Sequence, residues 1–196
     1  IQKGNVLPWL YEYNGIVPPL AQLTVGAKGM GVNVTSPEPD TVVRKMPVLI
    51  RVGEKVYPSM LLENIRIINR SKRIKVVAKQ HGIEEILVSK KAGIPVNHNA
   101  EMYINYADPS KYTQLSVQEV FSGEHADKIK GRIVVVGMDA AGLSVLKYTP
   151  HGLTTDQMIT AQALDTTMTG KYLYRAPQAD TYEIIFMSLL GLLMII

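Results

Sequence analysis

The run IIFMSLLGLLMII, from Ile184 to Ile196, carries no charge and has only Ser188 as a polar side chain. Apolar residues occupy every face of it rather than one stripe, so as a helix it cannot lie on the surface of a water-soluble body. Lipid and a protein core are the two environments left. At ~1.5 Å per residue the run reaches only about 20 Å, short of the ~30 Å hydrocarbon core, a length that suits a buried helix. Against that, it continues to the last residue as the start of a span would. The residues before it, Lys171, Tyr172, Tyr174, Arg175 and Tyr182, are the aromatic and cationic types that sit at headgroup level. The sequence therefore predicts the beginning of a transmembrane helix over 182–196, with Tyr172, Tyr174, Arg175 and Tyr182 at the membrane interface. A buried core helix is the alternative.

Residues 1–181 read as a folded body. A hydrophobic share of 46% against 19% charged gives the chain a core to bury and excludes a disordered composition. A length of 196 residues suits one good-sized domain plus the terminal helix. The net charge of +4 is too small an excess for a typical nucleic-acid binder, so no nucleic-acid partner is expected. The absence of cysteine excludes disulfides, thiolate catalysis and Cys-based zinc sites. Ile1 to Pro8 has no apolar h-region and does not read as a signal peptide.

Strand and helix signals alternate along the body. Pro18 and Pro19 open a short helix that ends at Gly26 or Gly29. Gly31 to Val34, Thr41 to Met46 and Pro47 to Val52 read as strands, with a turn at Ser36 to Asp40 and a hairpin at Gly53-Glu54. Ser59 caps an amphipathic helix reaching about Asn69, with Met60, Leu61, Ile65 and Ile68 on one face. Ile74 to Ala78, Ile83 to Val88 and Met102 to Tyr106 are further strands. Ser116 to Glu119 is a capping box for a short helix stopping at Gly123. Arg132 to Val136 (RIVVV) is the best strand in the chain, and its continuous β-branched run predicts burial on both faces. A second capping box, Thr154 to Gln157, opens a helix that runs through Met158, Ala161, Leu164 and Met168 to Gly170. The fold class is α/β or α+β, a mixed sheet with flanking helices.

The turn Gly137-Met138-Asp139-Ala140-Ala141-Gly142 follows RIVVV. A glycine-rich turn at the carboxyl end of a buried strand is where α/β folds bind ligands. It has the two glycines of a phosphate loop, but Leu143 stands where that loop needs lysine. Two readings stay open: a tight structural turn, or a small-ligand site with Asp139 as the polar contact. Gly26, Gly29 and Gly31 lack the order of a dinucleotide fingerprint and read as a helix cap. His81, His98, His125 and His151 have no metal-ligand spacing, so no metal is expected. Arg66, Arg70, Lys72, Arg73, Lys75 and Lys79 form the densest positive patch, read as a solvated face or as a contact for anionic headgroups or a partner chain. Asp40 and Arg44 flank a turn as a structural ion pair or hydrogen bond. No nucleophile elbow or carboxylate-dyad motif is present, so no catalytic residue is assigned and no cofactor is expected.

Several pieces, in order, carry a family likeness: GVNVTSPEPDTVVRKMPVLIRVGEKVYPSM (Gly31 to Met60), INY (Ile104 to Tyr106), LSVQEVFSG (Leu115 to Gly123), IKGRIVVVGMDAAGL (Ile129 to Leu143), Thr149-Pro150, and ITAQALDTTMTGKYLYRAP (Ile159 to Pro177). On them the chain resembles the CHASE domain of type 2, a sensory extracellular domain associated with cyclases and histidine kinases. The resemblance implies a bacterial inner-membrane receptor whose sensory domain lies outside the cytoplasm. The implied output is commonly a class III nucleotide cyclase, such as an adenylate cyclase, and sometimes a histidine or Ser/Thr kinase. The candidate ligand-binding set is Asp139, Gly137 and Gly142, with Asn33, Asn105 and Arg44 from the matching pieces, for an unidentified extracytoplasmic ligand. A homodimer is expected, because one output domain must meet another, as is contact with the bilayer through the terminal helix. The rival reading is a structural dimerisation domain with no small-molecule ligand.

The chain departs from the family pattern in three places. The family's opening strand–helix segment, with its Asp-Glu strand end and Trp-Pro turn, is not recognisable, being truncated or diverged, and Trp9 follows Pro8 in the reverse order. Met138 and Asp139 stand where the family has small or hydroxyl residues, and Ser144 and Val145 where an acidic residue often follows. Gln157 and Thr160 stand where the last helix often carries Gly and His.

Overall fold

The computed structural model describes residues 2–3, 5–36, 38–79, 82–89, 93–140, 142–175 and 179–194. The strands are β1 (Gln2–Lys3), β2 (Lys45–Pro47), β3 (Leu49–Val52), β4 (Lys55–Pro58), β5 (Lys75–Lys79), β6 (Gly82–Leu87), β7 (Gly93–Pro95), β8 (Glu101–Tyr103), β9 (Lys147–Thr149) and β10 (Gly152–Thr154). The helices are α1 (Ala21–Thr24), α2 (Met60–Ile68), α3 (Val117–Ser122), α4 (Ala126–Ile129), α5 (Asp156–Thr169) and α6 (Ala179–Leu193).

The sheet structure is divided. One four-stranded sheet has the order β1-β5-β6-β7, with β1 parallel to β5 and the other pairs antiparallel. Three two-stranded antiparallel pairs accompany it: β2 with β8, β3 with β4, and β9 with β10. The class is mixed α/β, as the alternating signals predict. The one broad sheet they suggested is broken into these smaller ladders.

A single apolar cluster joins the pieces. Val6 and Leu10, Met46 to Ile50, Leu61, Leu62 and Ile65 of α2, Ile83 and Ile86 of β6, Met102 and Ile104, and Ile159, Ala163 and Leu164 of α5 are all buried. α2 is the element read most directly from sequence. Ser59 is its N-cap, accepting the Leu62 N–H at 3.4 Å. Its inner face is Leu61, Leu62 and Ile65 rather than the full set predicted: Ile68 lies 40% exposed at the end of the last turn. The Gly53 hairpin forms between β3 and β4, pairing Val52 with Lys55. The Ser116 capping box forms in full, and α3 stops at Gly123, which has φ +77°.

Other expectations need correction. RIVVV is not a strand. Among the described residues, Ile133 to Gly137 donate and accept no backbone–backbone hydrogen bond. Ile133, Val134 and Val136 are 50%, 55% and 85% exposed, and only Val135 packs against the core. β-propensity is a measure of fit to a pleated surface with neighbours on it, and no strand lies alongside this segment to provide one. Gly31 to Val34 makes one bridge, Val32 to Ser59, rather than a strand. α1 is a single turn. In α5, Thr155 is the N-cap without a side-chain cap bond, and Gly170 ends the helix at φ +68°. The buried residues of α5 are Ile159, Thr160, Gln162, Ala163, Leu164 and Thr166, whereas Met168 is exposed.

Candidate functional site

The turn after RIVVV rests on the start of α5. Met138 O accepts the Gln157 Nε2 at 3.0 Å. Gly137 lies so close that a Cβ there would stand 2.7 Å from Gln157 Cδ. Asp139 and Gly142 are exposed, and Ala141 lies outside the described residues. Leu143 and Ser144 donate to Ala140 O, closing the turn. Beside it, Lys147 Nζ bonds Asp156 Oδ1 at 2.7 Å and Thr35 Oγ1 at 2.9 Å. Lys147 thereby links the segment carrying the exposed Asn33 to the same end of α5.

Asn105 is elsewhere. Its backbone N–H donates to Thr166 Oγ1 at 3.1 Å and its Nδ2 to Lys171 O at 3.2 Å, at the far end of α5. Gln157 and Thr166 are about 13 Å apart along the helix axis. Arg44 is engaged with Asp40, at 2.7 Å to Oδ2 and 3.0 Å to Oδ1. That bond is the main cause holding the Asp40 carboxyl below the usual carboxylate range. The candidate set thus divides into a group at the start of α5 (Gly137, Asp139, Gly142 and the Asn33 segment), Asn105 at its end, and Arg44 in a local ion pair.

A shallow groove of about 390 Å³ is lined by Val6, Leu49, Glu54, Val56, Pro58, Ile74 and Val76. It holds none of the candidate ligand-binding residues. Among the described residues, no three His, Asp or Glu side chains are grouped as a metal ion needs. His125 Nε2 stands 3.7 Å from Glu119 Oε1, and the His151 ring 6.3 Å from that of Tyr106. His81 lies outside the described residues.

A buried polar network escaped the sequence reading. The Glu101 side chain is 1% exposed and accepts from Asn97 Nδ2 at 2.7 Å and Lys45 Nζ at 3.3 Å. Lys45 also pairs with Glu38 at 3.1 Å and sits 5.8 Å from the centre of the Tyr103 ring. Burial pulls the Lys45 pKa down, but the Glu101 and Glu38 charges outweigh it and hold it above the ordinary lysine value. The pairing Lys45↔Tyr103 in β2 and β8 brings these groups together, and no spacing in the sequence announces it.

After α5 the chain is fastened to the body. Leu173 bridges Tyr103 antiparallel, and Tyr172 packs half-buried against the core. Of the residues expected at a membrane interface, Tyr174 and Tyr182 are 66% and 69% exposed. Arg175 pairs with Glu183 at 2.8 Å. α6 buries none of its apolar side chains: Ile184, Phe186, Met187, Leu189 and Leu193 are all more than 60% exposed. It is not the core helix that its length suggested. Among the described residues, no helix is long and apolar enough to cross a membrane.

The sequence profile of the CHASE2 domain matches residues 1–193. The chain belongs to the CHASE2 domain family. CHASE2 is a sensory, extracellular and non-catalytic domain family of signalling proteins. No curated protein and no solved structure matches this chain. In this CHASE2 domain the family match includes the RIVVV segment, where the structure departs most from the sequence expectation, and the turn after it.

Proposed function

We propose that this CHASE2 domain is the extracytoplasmic sensor of a bacterial transmembrane receptor. Its output is a cytoplasmic class III adenylate cyclase, with a histidine or Ser/Thr kinase as the variant form. The observation that carries the anchoring is α6, a helix with apolar side chains on every face and no protein packed on them. Water is a poor solvent for such a surface, at roughly 25 cal/mol per Å² of apolar area. Lipid removes that penalty. The exposed Tyr174 and Tyr182 and the Arg175–Glu183 pair suit the headgroup layer.

The same geometry supports a route for the signal. A ligand at the Gly137–Gly142 turn, with Asp139 as polar contact, bears on Gln157 at the start of α5. The end of α5 is joined through Asn105 and Lys171, and through Tyr103 and Leu173, to the segment that leads into α6. A ligand moves such a system only by binding one arrangement more tightly than another. The test is protease treatment of intact spheroplasts expressing the chain, followed by alkaline extraction of membranes. Residues 1–175 digested from outside, with α6 kept in the membrane fraction, is the expected result. A protected body, or a chain released by alkali, defeats the proposal.

A second reading rests on a different observation. Ile133, Val134 and Val136, on the extended segment before the turn, are each at least half exposed. Such a stretch, with open main-chain groups, suits pairing with a second copy, which supports a homodimer whose assembly rather than ligand occupancy is the domain's task. Sedimentation velocity in detergent separates the two: a monomer at all concentrations removes the assembly reading.

A further inference from the structure

The C-terminal end of α2 borders an open, shallow cleft of about 480 Å³ lined by Lys28, Arg66, Ile67, Arg70, Ser71 and Lys72. Four of its six lining residues are cations. Glu63 neutralises one of them, so the cleft carries most of the chain's net charge of +4. The remaining charges of the molecule nearly balance.

Arg66 builds this cleft rather than lining it passively. Its Nε and Nη2 bond the Glu63 carboxylate at 2.8 and 2.5 Å, Nη1 bonds Ser71 O at 2.9 Å, and Nη2 bonds Lys28 O at 3.3 Å. One guanidinium thus ties both walls to α2, with Lys28 on one side and Arg70 and Lys72 on the other. Lys28, Arg70 and Lys72 are exposed and have no acidic partner among the described residues.

Arg70 adds a second observation. It follows the Asn69 C-cap with φ +51°, a conformation that glycine adopts at this place without strain. Cations also favour helix C-termini through the dipole, but the Arg70 side chain is not needed to cap the helix. The terminal carbonyls are already taken: Ile65 O by Asn69 N and Nδ2, Ile67 O by Arg70 N, and Arg66 O by Ser71 N. A side chain held in a costly backbone conformation, aimed at a cleft and not needed by the helix, points to a ligand.

We infer that this cleft binds a phosphate oxyanion, with Lys28, Arg70 and Lys72 as its contacts and Arg66 as the strut that positions them. A guanidinium and two ammonium groups suit the charge and the several acceptor oxygens of such a group. Two sources share that chemistry: a free or solute-borne phosphate, and the phosphodiester of an anionic lipid headgroup. The site is separate from the Gly137–Gly142 turn and does not depend on it.

The test uses the full chain in detergent, titrated calorimetrically with inorganic phosphate, and the same chain sedimented with vesicles of phosphatidylcholine alone or mixed with phosphatidylglycerol. The double variant Arg70→Ala/Lys72→Ala is compared with Lys128→Ala/Lys130→Ala, which removes equal charge from exposed positions at α4. Expected is a loss of about tenfold or more in phosphate affinity, or in the gain on anionic over neutral vesicles, for the first pair alone. Phosphate binding without a vesicle gain assigns a soluble phosphate, and a vesicle gain without phosphate binding assigns the headgroup. Absence of both, or equal losses in the two double variants, overturns the inference. Circular dichroism of each variant verifies that the fold is retained.

Discussion

Gln162 Oε1, buried on α5, accepts the backbone N–H of Ala107 at 2.8 Å, although the two residues are 55 apart in the chain. Thr166, one turn on, does the same for the N–H of Asn105. Through these two bonds a helix satisfies backbone groups that a neighbouring strand would otherwise pair. Gln162→Leu keeps the volume and removes the acceptor. A buried donor left without a partner costs about 1–3 kcal/mol. The unfolding free energy is expected to fall by that amount, read as a lower urea midpoint with an unchanged slope.

The Lys45–Glu101 pair is the most buried charge pair among the described residues, with side chains 20% and 1% exposed. Lys45→Met leaves the Glu101 carboxylate without its cation, at a cost of about 3–5 kcal/mol. The double change Lys45→Met/Glu101→Gln removes the Glu101 charge and recovers part of the loss, the rest remaining because Glu38 still lacks its cation. Equilibrium unfolding of the wild type, Lys45→Met, Glu101→Gln and the double variant measures the coupling directly.

Gly31 and Gly137 both sit where a side chain meets an obstacle, but the obstacles differ. A Cβ at Gly31 would lie 2.5 Å from Met60 Cα and 2.6 Å from Ser59 O, which are backbone atoms at the start of α2. At Gly137 it would meet only the Gln157 side chain. Gly31→Ala is expected to destabilise by about 3 kcal/mol, the upper part of the overpacking range. Gly137→Ala is expected to cost about 2 kcal/mol, because Gln157 loses its bond to Met138 O and its Cβ, 2.9 Å from the new atom, is fixed to the helix. Thermal midpoints rank the two.

Tyr112 OH bonds Asp165 Oδ2 at 3.2 Å. Burial, with the Asp165 charge and that hydrogen bond, pushes the phenol up to about 12. In the unfolded chain the phenol titrates near its ordinary value of about 10. Between these values the unfolded chain loses its proton while the folded one keeps it. The contribution to stability is therefore complete below about pH 10 and is lost as pH rises through about 12. Tyr112→Phe should flatten this alkaline limb and leave stability at neutral pH within about 1 kcal/mol. Stability measured from pH 8 to 12 decides it.

Val134 and Val136 are more than half exposed. Val134→Lys/Val136→Lys is expected to change unfolding free energy by about 0.5 kcal/mol or less, the scale of surface substitutions. In a strand buried on both faces the same change would prevent folding. Circular dichroism and urea unfolding of the double variant report which holds. Sedimentation of the same variant tests whether the segment mediates self-association.

The sequence was most informative where a local pattern suffices. Ser59 and α2, the Gly53 hairpin and the Ser116 box depend on neighbours within a few residues, and all three form as read. RIVVV failed because its prediction required a partner, and the chain folds without one beside it. α5 forms and ends at Gly170 as read, but its capping box does not form and its inner face was not legible, because it carries Thr160, Gln162 and Thr166, polar side chains that a hydrophobic period passes over. The Lys45–Glu101 contact and the Lys28 wall of the basic cleft join residues remote in sequence, which only the folded chain brings together. Of the ligand candidates, the Gly137–Gly142 turn was legible as a turn. That Asn105 lies at the other end of α5 was not.

The antiparallel contact between Tyr103 and Leu173 is a β-bridge, and β-bridges have a fixed spacing. Sliding across such a contact advances in whole residues, each about 3.3 Å, and a single step turns every following side chain to the opposite face. A change of register across this bridge would therefore move the exit of the chain by whole residues.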